Sequence, residues 1–273
     1  MSTKVGIVRL WKVNGKEYSK MTDPRALLDE LRQQVIDEHA NIHHPLMKGL
    51  FAGELTREQV SGFVREFWVL PHTHLINNAG KLAHGQLLRG PFLQQLYGSP
   101  YDMEIRELLG ESVDDEMGKT EVSPVDHYSC YFDLVDELGI PRDEVGNPDI
   151  LSPEAMMVMY VWTTTALHLS LLEILSSHNF VNDVANVLGY PKVAEALKTH
   201  YDLSDKAVRW FSLHGEVDVE HGRRSREVLA RIIKSEDDEF VVRRAVRLGL
   251  GVKWTLFDGV MNRYVNGSNP IRK

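Results

Sequence analysis

Residues 200–222 read HYDLSDKAVRWFSLHGEVDVEHG, and the reading of this stretch decides how the chain is built. Apolar and charged residues alternate here with a helical period over residues 204–234. A helix turns by about 100° per residue, which brings His214, Asp218 and His221 onto one line with Trp210, Phe211, Val217, Val228, Leu229 and Ile232. Lys206, Glu216, Glu220, Arg223 and Arg224 fall on the other faces. Two imidazoles and a carboxylate therefore lie in the middle of an apolar stripe that faces inward. A lone carboxylate is costly to bury unless it is paired or bound to a metal. Two His and one Asp at i, i+4 and i+7 offer nitrogen and oxygen donors from a single helical face, a set suited to ferrous iron, manganese or zinc. The competing reading is a polar core network in which Asp218 orients the two imidazoles through hydrogen bonds.

Outward from this stretch the chain continues to read as helix. Leu27, Leu28, Leu31, Val35 and Ile36 repeat with a 3.6-residue period after Asp23-Pro24, and that helix is expected to stop near His44-Pro45. Thr56 and Gln59 form a capping box that opens a second helix running to about Gly80, interrupted near Pro71. A third helix is expected from Asp102 to Glu116, with Gly118 as its stop, and a fourth from Ser123-Pro124 to Leu138-Gly139. Ser152-Pro153 starts another through AMMVMYVWTTTALHLSLLEIL. Shorter pieces follow around residues 182–200, then long helices at 204–234 and 237–265. Before them, KVGIVRLWKVNGKEYS at residues 4–19 carries β-branched and aromatic residues around Asn14-Gly15, the signal of a small ribbon or ordered arm. The expected organisation is an all-α bundle of about seven helices over residues 23–273, preceded by an arm or β-ribbon at residues 1–22.

Composition narrows the function. A net charge of −8 argues against a nucleic-acid surface, which needs clustered Lys and Arg to neutralise phosphates. The single cysteine, Cys130, excludes an intrachain disulfide framework and fits a reducing cytoplasm. No apolar run is long enough to span a membrane, and residues 1–20 lack the apolar core of a signal peptide. No esterase elbow, Walker loop or Rossmann glycine fingerprint occurs. The expected partner is a small-molecule substrate.

Further ligand-type residues accompany the stripe. Glu116 and His127 flank the short turn in EMGKTEVSPVDH, which can bring them together. Glu173 and Asp183 are the two acidic residues in the otherwise neutral stretch from Ala155 to Gly189, and one of them can face the core. His39 and His43, at helical spacing beside His44-Pro45, read better as surface or packing residues than as ligands. Glu66, His74 and Trp210 are candidate pocket residues, and Cys130 reads as a buried inert thiol.

Three segments together resemble one family. HHPLMKGLFAGELTREQVSGFVREFW, DDEMGKTEVSPVDHYSCYFDLVDELGI and the closing HYDLSDKAVRWFSLHGEVDVEHG are similar to landmarks of the heme-oxygenase-like helical bundles. These include TenA-type thiaminases, pyrroloquinoline-quinone synthase and heme-oxygenase-like diiron oxidases. The resemblance covers about residues 24–235, and the His-x3-Asp-x2-His set is its most specific part. Toward the diiron oxidases, it implies two Fe(II) ions held by Glu116, His127, His214, Asp218, His221 and one more acidic residue, with O2 as co-substrate. The family's spacing back from Tyr201 favours Asp183 for that last ligand, whereas the local context favours Glu173. It further implies an oxidase or oxygenase acting on an amino acid or related amine or acid in a biosynthetic pathway, a homodimer, and an external electron donor where turnover requires one. The alternatives are a cofactor-free oxidase similar to pyrroloquinoline-quinone synthase and a non-catalytic helical scaffold with a polar core. A TenA-like hydrolase would need its nucleophilic cysteine in the long middle helix, where this chain has none.

Overall fold

The computed structural model describes residues 12–13, 16–17, 21–87, 103–121 and 123–267. Among them the strands are Lys12–Val13 and Lys16–Glu17, which pair antiparallel on either side of Asn14-Gly15. The rest of the expected arm lies outside the described residues. The described residues after it are helix and connecting turn.

The first helix, α1 (Pro24–Glu38), begins where the sequence places it, with the Asp23 carboxylate accepting from the backbone N–H groups of Arg25 and Ala26. It ends earlier than expected because His39 turns extended and caps a new short helix, α2 (Ala40–His43), its Nδ1 accepting from Asn41 N at 3.0 Å. His44 repeats the device for α3 (Pro45–Phe51). The Thr56–Gln59 capping box opens α4 (Arg57–Phe67). Pro71 does not break the next helix, α5 (Val69–Leu87), because it falls in the first turn, where a backbone N–H has no intrahelical partner to lose.

After α6 (Met103–Glu116), Gly118 adopts φ +68°, and Met117 and Asp126 form a backbone bridge across the turn. The following helix, α7 (His127–Glu137), starts at His127 rather than at Ser123-Pro124: the Asp126 side chain accepts from Tyr128 N and Ser129 N. The expected long helix after Ser152-Pro153 is divided. Its first part, α8 (Pro153–His168), ends at an extended Leu169, and a second capping box, Ser170 with Glu173, starts α9 (Leu171–Ile174). This piece passes without a cap through a π-turn at Leu175–Phe180 into α10 (Val181–Tyr201), a single helix where shorter pieces were expected. The two closing helices are α11 (Arg209–Ile232) and α12 (Glu236–Val260).

The buried apolar residues form two clusters. One gathers Phe63, Phe67, Tyr131, Trp210, Phe211 and Phe257; the other gathers Leu27, Leu31, Val181, Val228, Leu229 and Val246. Each fully buried side chain of this size stabilises by roughly 1.5–3 kcal/mol. Along α11 the first cluster takes Trp210 and Phe211, the second takes Val228 and Leu229, and the polar stripe of His214, Asp218 and His221 lies between them. Arg57, at the start of α4, donates to the last carbonyls of two helices, Tyr201 O of α10 at 2.8 Å and Glu137 O of α7 at 3.0 Å.

The π-turn is seated tightly on α12. A Cβ at Gly249 would lie 2.1 Å from the Ser177 carbonyl oxygen, closer than any real contact. Gly249→Ala is therefore expected to force the π-turn away from α12 and destabilise the protein by about 1–3 kcal/mol. Gly251→Ala, where no atom lies within 4 Å, should be neutral or slightly stabilising. Thermal unfolding of both variants checks the contrast, and equal midpoints would show that the seat is not rigid.

Candidate metal centre

Six ligand-type side chains reach the polar layer between the two apolar clusters. Glu116 closes α6, His127 opens α7, Asp183 stands in the first turn of α10, and α11 presents His214, Asp218 and His221; all are buried. Donor atoms of Glu116, His127 and His214 lie within 4.8 Å of one another. His127 Nδ1 is 2.7 Å from Glu116 Oε2, and His214 Nε2 is 4.0 Å from Glu116 Oε1. Despite this proximity, His127 Nδ1 and Glu116 Oε1 make no hydrogen bond of acceptable geometry, so two buried polar atoms face a shared point without satisfying each other.

The second nitrogen of each imidazole is committed elsewhere. His127 Nε2 meets Ser123 Oγ at 2.8 Å. His214 Nδ1 donates to the Trp210 carbonyl at 2.8 Å, which leaves Nε2 as the lone-pair donor. His221 Nε2 meets Asp115 Oδ2 at 3.0 Å, and Asp115 is itself held by Thr120 Oγ1 and Arg224. An outer partner on one ring nitrogen fixes the tautomer and aim of the other, the arrangement that metal-binding histidines adopt.

On the other flank, Asp218 Oδ1 lies 3.2 Å from His221 Nδ1, and its Oδ2 accepts from Asn186 Nδ2 at 2.8 Å. Asn186 is in turn fixed by Asn41 at 2.8 Å. Asp183 accepts from Ser225 Oγ at 3.3 Å and lines the same surface cleft as Asp218.

The protonation pattern divides the layer, with cationic surroundings at Glu116 and anionic ones at Asp183 and His221. Burial opposes a charge on Glu116, but His74 and His127 beside it hold its carboxyl well below the usual range. Burial and the neighbouring Asp218 push Asp183 well up. Burial would lower His221, yet hydrogen bonds to Asp115 and Asp218 raise it to about 10, so a proton sits where it is shared between two carboxylates. Burial and the nearby His127 lower His214 to about 4, which keeps its imidazole neutral and available as a ligand. Three imidazoles and three carboxylates, with unpaired atoms aimed inward, fit a transition-metal ion better than a self-sufficient polar network.

The other expected residues divide. The structure brings Asp183 to the cluster and leaves Glu173 outside it, as the N3 residue of the α9 capping box with Arg244 on its other oxygen at 2.5 Å. His74 reaches Glu116 Oε1 at 3.0 Å, and Trp210 packs on the His214 ring with centroids 4.1 Å apart; both line a pocket with Glu116, His127 and His214. Glu66 is not part of it. Its carboxylate accepts from Ser152 N and Oγ and contacts Arg263, fixing the start of α8. His39 is fully buried rather than on the surface, and His43 bonds the Ile36 carbonyl. Cys130 is buried on α7, with its thiol pushed up by burial.

Several participants have no readable signal in the sequence. Lys81, on the same face of α5 as His74, is buried, and burial lowers its pKa although the charges of Asp183, Glu116 and Asp218 pull the other way. His178 stands in the π-turn against His74 and Trp162, with both ring centroids at 5.0 Å. Its Nδ1, the Trp162 Nε1 and the Asn78 amide are buried without partners. A break in helical period cannot be read from a run of neutral residues, and π-turns concentrate at functional sites. Among the described residues no helix is long and apolar enough to cross a membrane.

Comparison with known proteins is consistent with this layout. A model of the family described as iron-containing redox enzymes matches residues 83–251. A curated protein of Chlamydia pneumoniae called 4-aminobenzoate synthase is 17% identical over 244 residues, 89% of this chain and 96% of that protein. Among solved structures, a CADD-like protein of Nostoc punctiforme superposes with TM-score 0.69 at 14% identity, covering 89% of this chain and 98% of that one. A TenA homologue of Pseudomonas syringae gives 0.68 at 13%, covering 88% and 91%. A heme-oxygenase-like domain from Shewanella denitrificans gives 0.65 at 15%, covering 93% and 99%. At these identities the structures speak for the fold alone, which is the heme-oxygenase-like helical bundle.

Asp115 acts on the site through His221, so Asp115→Asn should weaken Fe(II) binding about 10–100-fold while leaving helical content unchanged. Anaerobic equilibrium dialysis measures it, and an unaltered affinity would mean that the Asp115–His221 bond does not support a ligand.

Proposed function

The chain belongs to the family of iron-containing redox enzymes, and from that premise we propose that it is an oxidase or oxygenase using two Fe(II) ions and O2 to oxidise a small amine or acid. The observation that carries the reading is the division of labour in the imidazoles: each has one nitrogen tied outward, to Ser123, to the Trp210 carbonyl or to Asp115, and one turned toward a buried carboxylate. His127 and His214 with Glu116 would hold one ion, and His221 with Asp218 and Asp183 the other. Three carboxylates nearly balance two divalent ions, the electrostatic condition for burying them.

Ferrous iron bound there would supply electrons for O2 reduction. The chain's own residues do the rest. Trp210 and Tyr190 pack around His214, with ring centroids at 4.1 and 6.2 Å, and exclude water from that side. Asn186 and Ser225 hold Asp218 and Asp183 by their outer oxygens. His74, its Nε2 3.0 Å from Glu116 Oε1 at the pocket, is placed to hold or pass a proton there.

Anaerobic titration with Fe(II) is expected to saturate near two ions per chain, and exposure to air should then consume O2. His214→Ala, His221→Ala and Asp183→Ala should each lose at least one ion with helical content intact, whereas Glu173→Ala should keep both. Retention of two ions by the His214 and His221 variants would sink the ligand assignment. Substrate-dependent O2 consumption by metal-free protein would favour cofactor-free oxidation instead.

A further inference from the structure

Asp183 and Asp218 are reached from outside through a cleft between α1, α10 and α11, separate from the pocket lined by Glu116 and His127. Its volume is about 240 Å³ and it opens to solvent, room for a small fragment-sized molecule rather than a drug-sized one. Its composition is layered. The floor is Asp183, Asp218 and Gly222, the last without a side chain. The walls are Val184, Val187 and Leu188 from α10 with Phe180 and Val219. Leu188 and Val219 are 39% and 60% exposed, unusual for apolar residues one turn from a buried polar layer.

The rim carries Arg32, Arg223 and Arg226. Arg223 is occupied by Glu220 at 2.6 Å. Arg226 uses one terminal nitrogen on Asp29 at 2.5 Å, and its Nε is buried without a partner. Arg32 is exposed and has no ion-pair partner among the described residues. Guanidinium groups above apolar walls select an anion with an apolar body and disfavour an amine, which would meet like charge on entry.

We propose that this cleft is the substrate site, and that it takes a small apolar carboxylic acid whose carboxylate docks on Arg32 and Arg226 while its hydrocarbon end reaches the floor at Asp183 and Asp218. The assignment of the floor as the reacting end rests on the diiron reading, in which those two residues hold iron. With their charge neutralised by the ion, the rim becomes the part of the cleft that discriminates by charge. The acid, rather than the amine, is then the group that the protein recognises.

The test compares hexanoate, hexanamide and hexylamine by calorimetric titration into Fe(II)-loaded protein under anaerobic conditions. Hexanoate is expected to bind saturably and at least tenfold more tightly than the other two. The double substitution Arg32→Ala, Arg226→Ala should remove that preference, while iron stoichiometry stays unchanged. Arg32 is exposed and Arg226 half-buried, its ion pair with Asp29 lying at the surface, where loss of such a pair costs little stability. Val187→Trp, which fills the cleft wall, should abolish binding of all three probes, again without loss of iron. Equal binding of hexanoate and hexanamide, or full preference retained by the arginine variant, would overturn the proposal. The two readings fail separately: protein that prefers hexanoate but takes up no iron refutes the diiron centre alone, and iron-loaded protein without the preference refutes the cleft alone.

Discussion

Three carboxylates, Glu116, Asp183 and Asp218, lie 7%, 3% and 3% exposed in the middle of a helical bundle, and the surrounding structure is arranged around their cost. Negative charge removed from water must be compensated within the fold or neutralised by a proton or a cation. Here compensation comes from every side. Imidazoles of His74, His127 and His221 approach the three groups, Asn186 and Ser225 bond their outer oxygens, and the Lys81 ammonium stands within electrostatic reach of all of them. The apolar clusters at either end of the bundle then exclude water from the layer, which strengthens each of these interactions.

Lys253 belongs to the same system. It is buried over the Phe67 ring at 5.4 Å, and burial brings its pKa down to about 7, with Asp218 pulling the other way. Burial above all, and then His74, Lys81 and Lys253, push the pKa of the His178 imidazole well down. The layer is thus poised between cationic and anionic groups, so a change of charge at one ligand alters the protonation of several neighbours. The coupling follows from proximity in a medium of low polarity and needs no movement of the backbone.

How much of this was legible in the sequence depended on whether a residue expressed its role through periodicity. The stripe from His214 to His221 did, because a helix converts i, i+4, i+7 spacing into a shared face. Glu116 and His127 were recognisable from the turn between them. Between Asp183 and Glu173, the chain carries a signal for the place of the second, Ser170-x-x-Glu173, the pattern of a helix start: the structure shows Glu173 engaged as a cap, and Leu169 breaks the helix that the apolar run had suggested. Asp115 was hidden in an acidic run that reads as a solvated helix end. Glu66 looked like a pocket residue among aromatics and instead anchors Ser152. His178 and Lys81 acquire their place from packing between helices distant in sequence, which no local pattern encodes.

Arg57 stands far from this chemistry, yet it grips the last carbonyls of α7 and α10, the helices that carry His127 and Asp183 near their opposite ends. A helix rises by about 1.5 Å per residue, so one guanidinium sets the axial position of two donor groups roughly 15 and 27 Å away along their rods. The bundle behaves there as a pair of levers with a common anchor. Sliding either rod by a single residue's rise would misplace its side chain by more than the roughly 0.5 Å that a preorganised site tolerates, and the anchor holds both against that slippage with one side chain.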